Sequence, residues 1–346
     1  MRRSRVLALA LLGLAALAGG ARAGALTEPW PDPDAGPTIA PVTVGFPSTS
    51  PFIPRDIGTE DAAPTAAIGY FFAPPGTHPA HSVPAVIMLH GSGGVLQARE
   101  MTYGPQLARM GIAALVVDSF AARRDRATAF TDRLIEITET MVLADAYAGL
   151  AWLAKRDEID AKRVVLTGFS YGGMSAMYAL QAQIAERLAP TGLRFAGHVA
   201  FYGPCIARWE DTRTTGAPLL MLYGSDDELI DPERCDQIAG DLRAGGSHVD
   251  MAVYPGAVHQ WDGGFARRLI GRQLAACRFW VERDGTVRDA PLWLPMSTPF
   301  WRKIALGLCT SGRPYPIGRD DAVRAQSNRD FGRFLEQVFG RKVKSG

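Results

Sequence analysis

The chain lacks several patterns that would assign it to common functional classes. It has only four cysteines and no Cys-x-x-Cys spacing, which argues against a zinc site built from cysteine pairs. Beyond its first residues it has no apolar run of the roughly 20 residues that a membrane-spanning helix needs. It contains no internal repeat and no low-complexity tract, so nothing indicates a repeat protein or extensive disorder.

A large excess of charge of either sign is also missing, since 37 Lys and Arg face 35 Asp and Glu, for a formal net charge of +2. Residues 1–5 are positively charged, residues 6–18 are apolar, and 21–23 form a small-x-small cleavage site. Residues 1–23 are therefore predicted to be a secretory signal peptide, with a retained membrane anchor as the alternative. Cleavage would leave a net charge near −2, because this segment carries four arginines and no acids. We expect no nucleic-acid partner and no membrane partner after cleavage.

The four cysteines are consistent with export to the periplasm or the medium. They are Cys205, Cys235, Cys277 and Cys309. An even number of cysteines in an oxidising compartment suggests two disulfides, for which three pairings are possible. Free, buried thiols are the alternative.

Strand-like and helix-like segments alternate along most of the chain. The predicted strands are 41–46, 66–72, 83–90, 112–118, 164–168, 195–202, 218–223 and 249–254. The predicted helices are 98–110, 138–155, 173–185, 232–244 and 320–339. Such alternation predicts the α/β class, with a mostly parallel sheet covered by helices on both faces.

Composition divides the chain into an arm and one domain. Residues 24–39, rich in Pro, Ala, Gly and Asp, are predicted to form an extended N-terminal arm. Residues 40–346 are predicted to form a single domain. Within it, residues 260–319 interrupt the alternation and carry four tryptophans. They are predicted to be an insertion between the last strand and the last helix.

One pentapeptide has the pattern of a nucleophile elbow. Gly168–Gly172 reads Gly-Phe-Ser-Tyr-Gly, directly after an apolar run and directly before a helical segment. Glycines flank the serine because the strand-to-helix turn is too tight for side chains there. This context predicts that Ser170 is a nucleophile at the carboxyl end of a strand.

A serine hydroxyl needs a base, and the base needs an acid to orient it. Asp227 is the candidate acid, in a loop of four carboxylates after a buried strand, and Asp226 is the alternative. His259 is the candidate base, because it follows the last predicted strand by a short loop. The order serine, acid, histidine along the chain is that of the α/β-hydrolase triad.

A second glycine-rich motif, His90–Gly94, follows the strand at 83–90. Its backbone N–H groups are suited to binding a developing oxyanion. The predicted donors are the backbone N–H groups of Tyr171 and Ser92, with Gly93 as the alternative to Ser92. A phosphate loop is disfavoured because no lysine follows at the required spacing.

With these residues in place, the chain resembles the α/β-hydrolase superfamily and, within it, the dienelactone hydrolase family. The segments that carry the resemblance are 90–94, 115–120, 168–173, 223–227 and 254–259. The separations of 57 residues from Ser170 to Asp227 and 32 residues from Asp227 to His259 also resemble that family's short arrangement. The resemblance covers roughly residues 40–260 and the last helix.

The resemblance implies an ester hydrolase with no metal and no organic cofactor. Dienelactone hydrolases themselves use a cysteine nucleophile, whereas position 170 is serine. This departure favours a general carboxylic-ester or lactone hydrolase acting on small molecules. The resemblance also favours the pairs Cys205–Cys235, at neighbouring strand ends, and Cys277–Cys309, within the insertion.

Two other functions are consistent with parts of the pattern. The Gly-x-Ser-Tyr-Gly-Gly motif also resembles prolyl-oligopeptidase domains, although residues 24–65 are too few to build their propeller. A non-catalytic binding protein on a hydrolase scaffold is the other alternative. It is disfavoured because a binding protein does not need a serine, an acid and a histidine in this order. Arg123, Arg124 and Arg126 are either a carboxylate-binding group or solvated loop charges.

Overall fold

The computed structural model describes residues 26–32, 34, 36–271 and 273–340. The predicted signal peptide lies outside the described residues. The strands are β1 Val42–Ser50, β2 Ala63–Phe72, β3 Val83–Leu89, β4 Ala113–Val117, β5 Ile159–Phe169, β6 Gly197–Phe201, β7 Ala207–Trp209, β8 Leu219–Gly224, β9 Val249–Tyr254, β10 Arg268–Ile270, β11 Phe279–Val281, β12 Val287–Asp289 and β13 Tyr315–Ile317.

The helices, numbered in the same way, alternate with the strands over most of the chain. They are α1 Glu100–Arg109, α2 Phe130–Glu136, α3 Glu139–Leu153, α4 Tyr171–Tyr178, α5 Ala182–Leu188, α6 Pro232–Ala244, α7 Pro299–Cys309 and α8 Asp321–Val338. Within the described residues, no helix is long and apolar enough to cross a bilayer.

Eight strands form the central sheet in the order β1-β2-β4-β3-β5-β6-β8-β9. The first two strands are antiparallel to each other, and β2 runs antiparallel to β4, while all remaining neighbours are parallel. The predicted mostly parallel sheet is therefore confirmed. Because parallel strands share one direction, the loops that follow β3, β5, β6 and β8 meet at one edge.

Helices cover both faces of this sheet, and the alternation of side chains along a strand gives each face its own core. In β3, Ala85 and Ile87 face one apolar cluster, whereas Val86 and Met88 face the other. The first cluster packs against α3 to α6, and the second against α1 and α8. Burial on both faces explains why the central strands read as continuous apolar runs.

The N-terminal arm packs against the second face. Leu26 is buried, and its N–H donates to Glu336 Oε1 at 2.8 Å. The Trp30 ring lies 5.6 Å from the rings of Tyr103 and Phe331. Among the described residues of the arm there is no helix or strand.

The insertion at 260–319 contains short elements that the sequence pattern did not predict. Strands β11 and β12 form a small sheet with β7, and β10 pairs with β13. Strands of three residues are too short to give a periodic signal. Helix α7 packs against α2, which was also not predicted.

The single helix predicted over 173–185 is wrong, because two helices, α4 and α5, occupy this region. Between them the chain pairs with a neighbouring loop: Ala182 N–H donates to the Arg213 carbonyl, and Thr215 N–H donates to the Leu180 carbonyl. These contacts hold Gln181 in an extended conformation and stop α4 from continuing.

Both disulfides favoured by the resemblance are present, Cys205–Cys235 and Cys277–Cys309. The first joins the loop after β6 to α6, within the main domain. The second closes a loop with a sequence separation of 32 residues inside the insertion and fixes the end of α7. A cross-link of this kind stabilises a fold chiefly by restricting the unfolded chain.

We expect the variant Cys277→Ala/Cys309→Ala to unfold at a lower denaturant concentration, with a loss of about 2–4 kcal/mol in unfolding free energy. Guanidinium titrations followed by tryptophan fluorescence measure this loss. Cys205→Ala/Cys235→Ala should show a loss of similar size. A reducing agent should lower the wild-type midpoint and leave a variant that lacks all four cysteines unchanged, and equal midpoints for wild type and both double variants would contradict a stabilising role.

Candidate active site

Ser170 lies in the turn between β5 and α4. Its backbone has φ 53° and ψ −111°, a conformation that non-glycine residues rarely adopt. The Ser170 N–H donates to the Phe201 carbonyl at the end of β6, at 2.9 Å. This bond holds the serine between the ends of two parallel strands, with its side chain at the edge where the loops meet.

The two glycines of the pentapeptide are required by close backbone contacts. A Cβ at Gly168 would lie 2.0 Å from the Gly172 carbonyl oxygen, and a Cβ at Gly172 would lie 2.3 Å from that of Leu89. Both distances are far shorter than any real Cβ contact. The turn can therefore form only where these positions lack side chains, which is the physical content of the motif.

Three side chains from separate loops meet at this turn. His259 Nε2 lies 2.8 Å from Ser170 Oγ, and His259 Nδ1 lies 2.7 Å from Asp227 Oδ2. A neutral imidazole with its proton on Nδ1 donates to the carboxylate and leaves Nε2 free to accept from the hydroxyl. All three are nearly closed to solvent, with 6% of Ser170, 4% of Asp227 and 1% of His259 exposed.

Asp227 is held in place by the backbone of its own loop, since the Leu229 N–H donates to its Oδ1 at 3.0 Å. The alternative acid, Asp226, is exposed, and its carboxylate accepts from the Ser225 hydroxyl. Asp231 caps α6 by accepting from the Arg234 N–H. Of the acids in this loop, Asp227 is the one that contacts the histidine.

The two predicted oxyanion donors belong to segments next to Ser170. Tyr171 is the first residue of α4, where backbone N–H groups are free of helical partners and carry partial positive charge. Ser92 lies in a turn after β3 that is closed by the Gly94 N–H donating to the Gly91 carbonyl at 2.9 Å. A Cβ on Gly91 would be 3.4 Å from Ser170 Cβ, so this turn borders the serine. The assignment of both donors stays a prediction.

The end of the insertion supports His259 from its backbone side. The Gly318 N–H donates to the His259 carbonyl at 2.9 Å, and Ile317 forms a parallel bridge with His259. The Tyr315 ring lies 6.3 Å from the imidazole. This support could not be read from the sequence, because pairing between residues nearly 60 apart leaves no local pattern.

A buried polar group also packs against the imidazole. The Tyr202 ring lies 4.7 Å from His259, and its hydroxyl donates to Asp262. Burial, and then the adjacent Asp262 carboxylate, raises the pKa of Tyr202 well above its ordinary value, so the phenol stays protonated and donates. Tyr103 donates to the same carboxylate at 3.3 Å. No sequence pattern indicates this group, since its members lie on three separate parts of the chain.

The three arginines after β4 do not form one binding group. Arg123 is buried and makes an ion pair with Asp145 at 2.6 Å, and it also donates to Ser50 Oγ. The proposal that Arg123 binds a ligand carboxylate is therefore wrong, because its charge is already paired inside the protein. Arg124 and Arg126 are exposed.

Comparison with known proteins shows that the chain matches the model of a protein family. The model of the "Dienelactone hydrolase family" matches residues 69–282, which include Ser170, Asp227 and His259. A Salmonella typhimurium protein named "Putative carboxymethylenebutenolidase" is 28% identical over 240 residues, covering 63% of this chain and 86% of that protein. An Escherichia coli K12 protein of the same name is 30% identical over 141 residues, covering 40% of this chain and 51% of that protein.

The chain is also similar to solved structures, at lower identity. The dienelactone hydrolase-like promiscuous phosphotriesterase P91, from metagenomic libraries, is 22% identical with a TM-score of 0.49, covering 64% of this chain and 84% of that chain. The thermophilic esterase Est2 of Thermogutta terrifontis is 18% identical with a TM-score of 0.46, covering 57% and 80%.

The close contact at Gly172 predicts a large loss of stability in Gly172→Ala. The new methyl group would meet backbone atoms of Leu89 and His90, which cannot move without displacing β3. We expect unfolding free energy to fall by about 3 kcal/mol or more. Gly240→Ala is the matched control: Gly240 is helical and exposed with nothing within 4 Å, so alanine should stabilise by about 0.5–1 kcal/mol. Chemical denaturation measures both, and equal stabilities would contradict the contact.

Proposed function

The chain belongs to the dienelactone hydrolase family, and on that premise we propose that it is an exported serine hydrolase that cleaves carboxylic esters or lactones. The observation that carries the proposal is the pair of short contacts that link Ser170, His259 and Asp227 in series. This is the arrangement that activates a serine hydroxyl, whatever fold presents it.

In the proposed reaction, Ser170 Oγ attacks the ester carbonyl carbon while its proton passes to His259 Nε2. The tetrahedral oxyanion accepts hydrogen bonds from the backbone N–H groups of Tyr171 and Ser92. His259 then gives its proton to the departing alkoxide, and an acyl ester remains on Ser170. Water attacks this ester with His259 as base, and the proton returns to the serine oxygen as the acid leaves.

Asp227 has an electrostatic role in this scheme. It fixes the tautomer with the proton on Nδ1 and stabilises the imidazolium that forms during attack. Burial of both partners strengthens the interaction, because nearby water is excluded. The Leu229 N–H and the Tyr202 ring restrict the carboxylate and the imidazole to this geometry.

Export is supported by the two disulfides and by the predicted leader at 1–23. Disulfides of this kind persist in oxidising compartments. A serine nucleophile suits such a compartment better than the cysteine used by dienelactone hydrolases themselves, since an exposed reactive thiol would be oxidised there. We place the enzyme in the periplasm or the medium.

Ser170→Ala should remove turnover of a short-chain p-nitrophenyl ester, with a fall in kcat on the order of 10⁶-fold. A fluorophosphonate probe should label the wild-type protein at Ser170 and leave the folded variant unlabelled. Undiminished hydrolysis by the variant would exclude the mechanism. Failure of the folded wild type to react with the probe would instead favour a binding protein.

Asp227→Asn should lower kcat on the order of 10⁴-fold, because the amide cannot hold the required tautomer. Asp226→Asn is the matched control, one residue away, and should change kcat by no more than about twofold because its side chain is exposed. Steady-state rates on one ester compare the two. A larger loss of kcat in Asp226→Asn would show that Asp226, and not Asp227, is the catalytic acid.

A further inference from the structure

Helix α7, at Pro299–Cys309 in the insertion, turns an apolar face toward solvent. Phe300, Ile304 and Leu308 follow one another at helical spacing, and Trp301 lies beside them. Phe300 is 64% exposed and Leu308 60%. We call these four residues the α7 stripe. A helix on a protein surface usually shows the opposite arrangement, with its apolar residues facing the core.

The orientation of α7 is fixed by its inward face. Arg302 is buried, and its two terminal nitrogens donate to the Glu139 carboxylate at 3.0 and 2.8 Å. Its Nε donates to the Leu134 carbonyl at 2.8 Å, and Ala305 is buried beside it. Rotating the stripe inward would leave the Arg302 and Glu139 charges unpaired, which is costly for buried groups.

Exposed apolar side chains are concentrated in this part of the chain. Nine large ones are exposed among the described residues: Val42, Phe130, Val253, Leu269, Leu292, Trp293, Phe300, Trp301 and Leu308. Five of the nine lie between residues 292 and 308. Single exposed apolar residues need no explanation, but a helix face built from them marks a binding surface.

The chain segment that carries the stripe has charges of one sign only. Residues 290–319 contain no Asp or Glu and four cations. Two of the cations, Lys303 and Arg313, are exposed, and no described carboxylate pairs with them. The adjoining helix α2 carries Asp132 and Glu136, which offset part of this positive charge. Any partner of the stripe must therefore bind mainly through burial of its apolar side chains.

We propose that the α7 stripe docks on the surface of an anionic phospholipid bilayer. Trp, Phe and Leu on one face with Lys at its border is the composition of a helix that lies in the lipid interface. A second copy of the chain is the alternative occupant, and the oligomeric state in solution tests it. This proposal departs from the expectation that the exported protein has no membrane partner.

The test is sedimentation of the intact exported protein with vesicles. Binding should be stronger to equal parts of phosphatidylcholine and phosphatidylglycerol than to phosphatidylcholine alone, and weaker in about 0.5 M NaCl. Phe300→Ser/Leu308→Ser should raise the apparent Kd about tenfold or more. Lys303→Gln should raise it about fivefold. Leu269→Ser, which alters a side chain that is 68% exposed on β10, is the control and should bind like wild type.

Binding is measured without turnover, so its outcome is separate from that of the proposed catalysis. Thermal melting checks that the double variant is folded, and Lys303→Glu replaces it in the test if it is not. No sedimentation with phosphatidylglycerol vesicles, or unchanged binding by the stripe variants, would overturn the proposal. So would a solution dimer that the double variant dissociates, because the stripe would then be covered by a second copy.

Discussion

The close approach of backbone to backbone at the turn after β5 is the constraint on which the rest of this structure depends. Leu89 at the end of β3, Phe201 at the end of β6 and the first turn of α4 all contact this turn directly. Because the contacts join backbone atoms, no side-chain adjustment can relieve them. Ser170 is thereby held at positive φ, and the loops that must reach it are those that follow neighbouring parallel strands.

Parallel strands explain why the proposed acid and base can come from distant positions in the chain. Asp227 follows β8 and His259 follows β9, so both reach the edge where Ser170 lies. The imidazole needs further support, because it lies beyond the last strand of the sheet. The insertion supplies that support through Gly318 and Ile317, which bind the His259 backbone. An insertion that interrupts the sequence pattern therefore completes the site.

The parts of the fold that could be predicted from the sequence are those with a local physical cause. Buried strands such as 83–90 read as apolar runs, and the turn at Ser170 requires glycines at fixed positions. The three-residue strand β7, helix α2 and the end of α4 depend instead on pairing with distant segments, as the contact of Ala182 with Arg213 illustrates. No local pattern records such pairing.

The residues of the candidate site also divide into those with a local sequence pattern and those that depend on contacts between distant segments. That Ser170, Asp227 and His259 meet could be predicted because each follows a recognisable strand. Tyr202 and Asp262 could not, because a buried tyrosine and a buried aspartate look like ordinary residues until packing brings them together. Arg123 was open to two interpretations for a related reason. An arginine in a loop is described equally well as solvated or as ligand-binding, and only the position of Asp145 decides that it is neither.

The buried ion pair between Arg302 and Glu139 relates the insertion's surface to the site. Glu139 begins α3, and two residues earlier the Ile137 carbonyl accepts from the Tyr171 hydroxyl at 2.8 Å. Tyr171, which follows Ser170, and helix α7, which carries the stripe, thus both contact the same short segment. The pair fixes the orientation of α7, because a rotation that broke it would leave a buried charge uncompensated. The residues of the α7 stripe lie on the side of the helix opposite to this pair, while Ala305 beside Arg302 is buried.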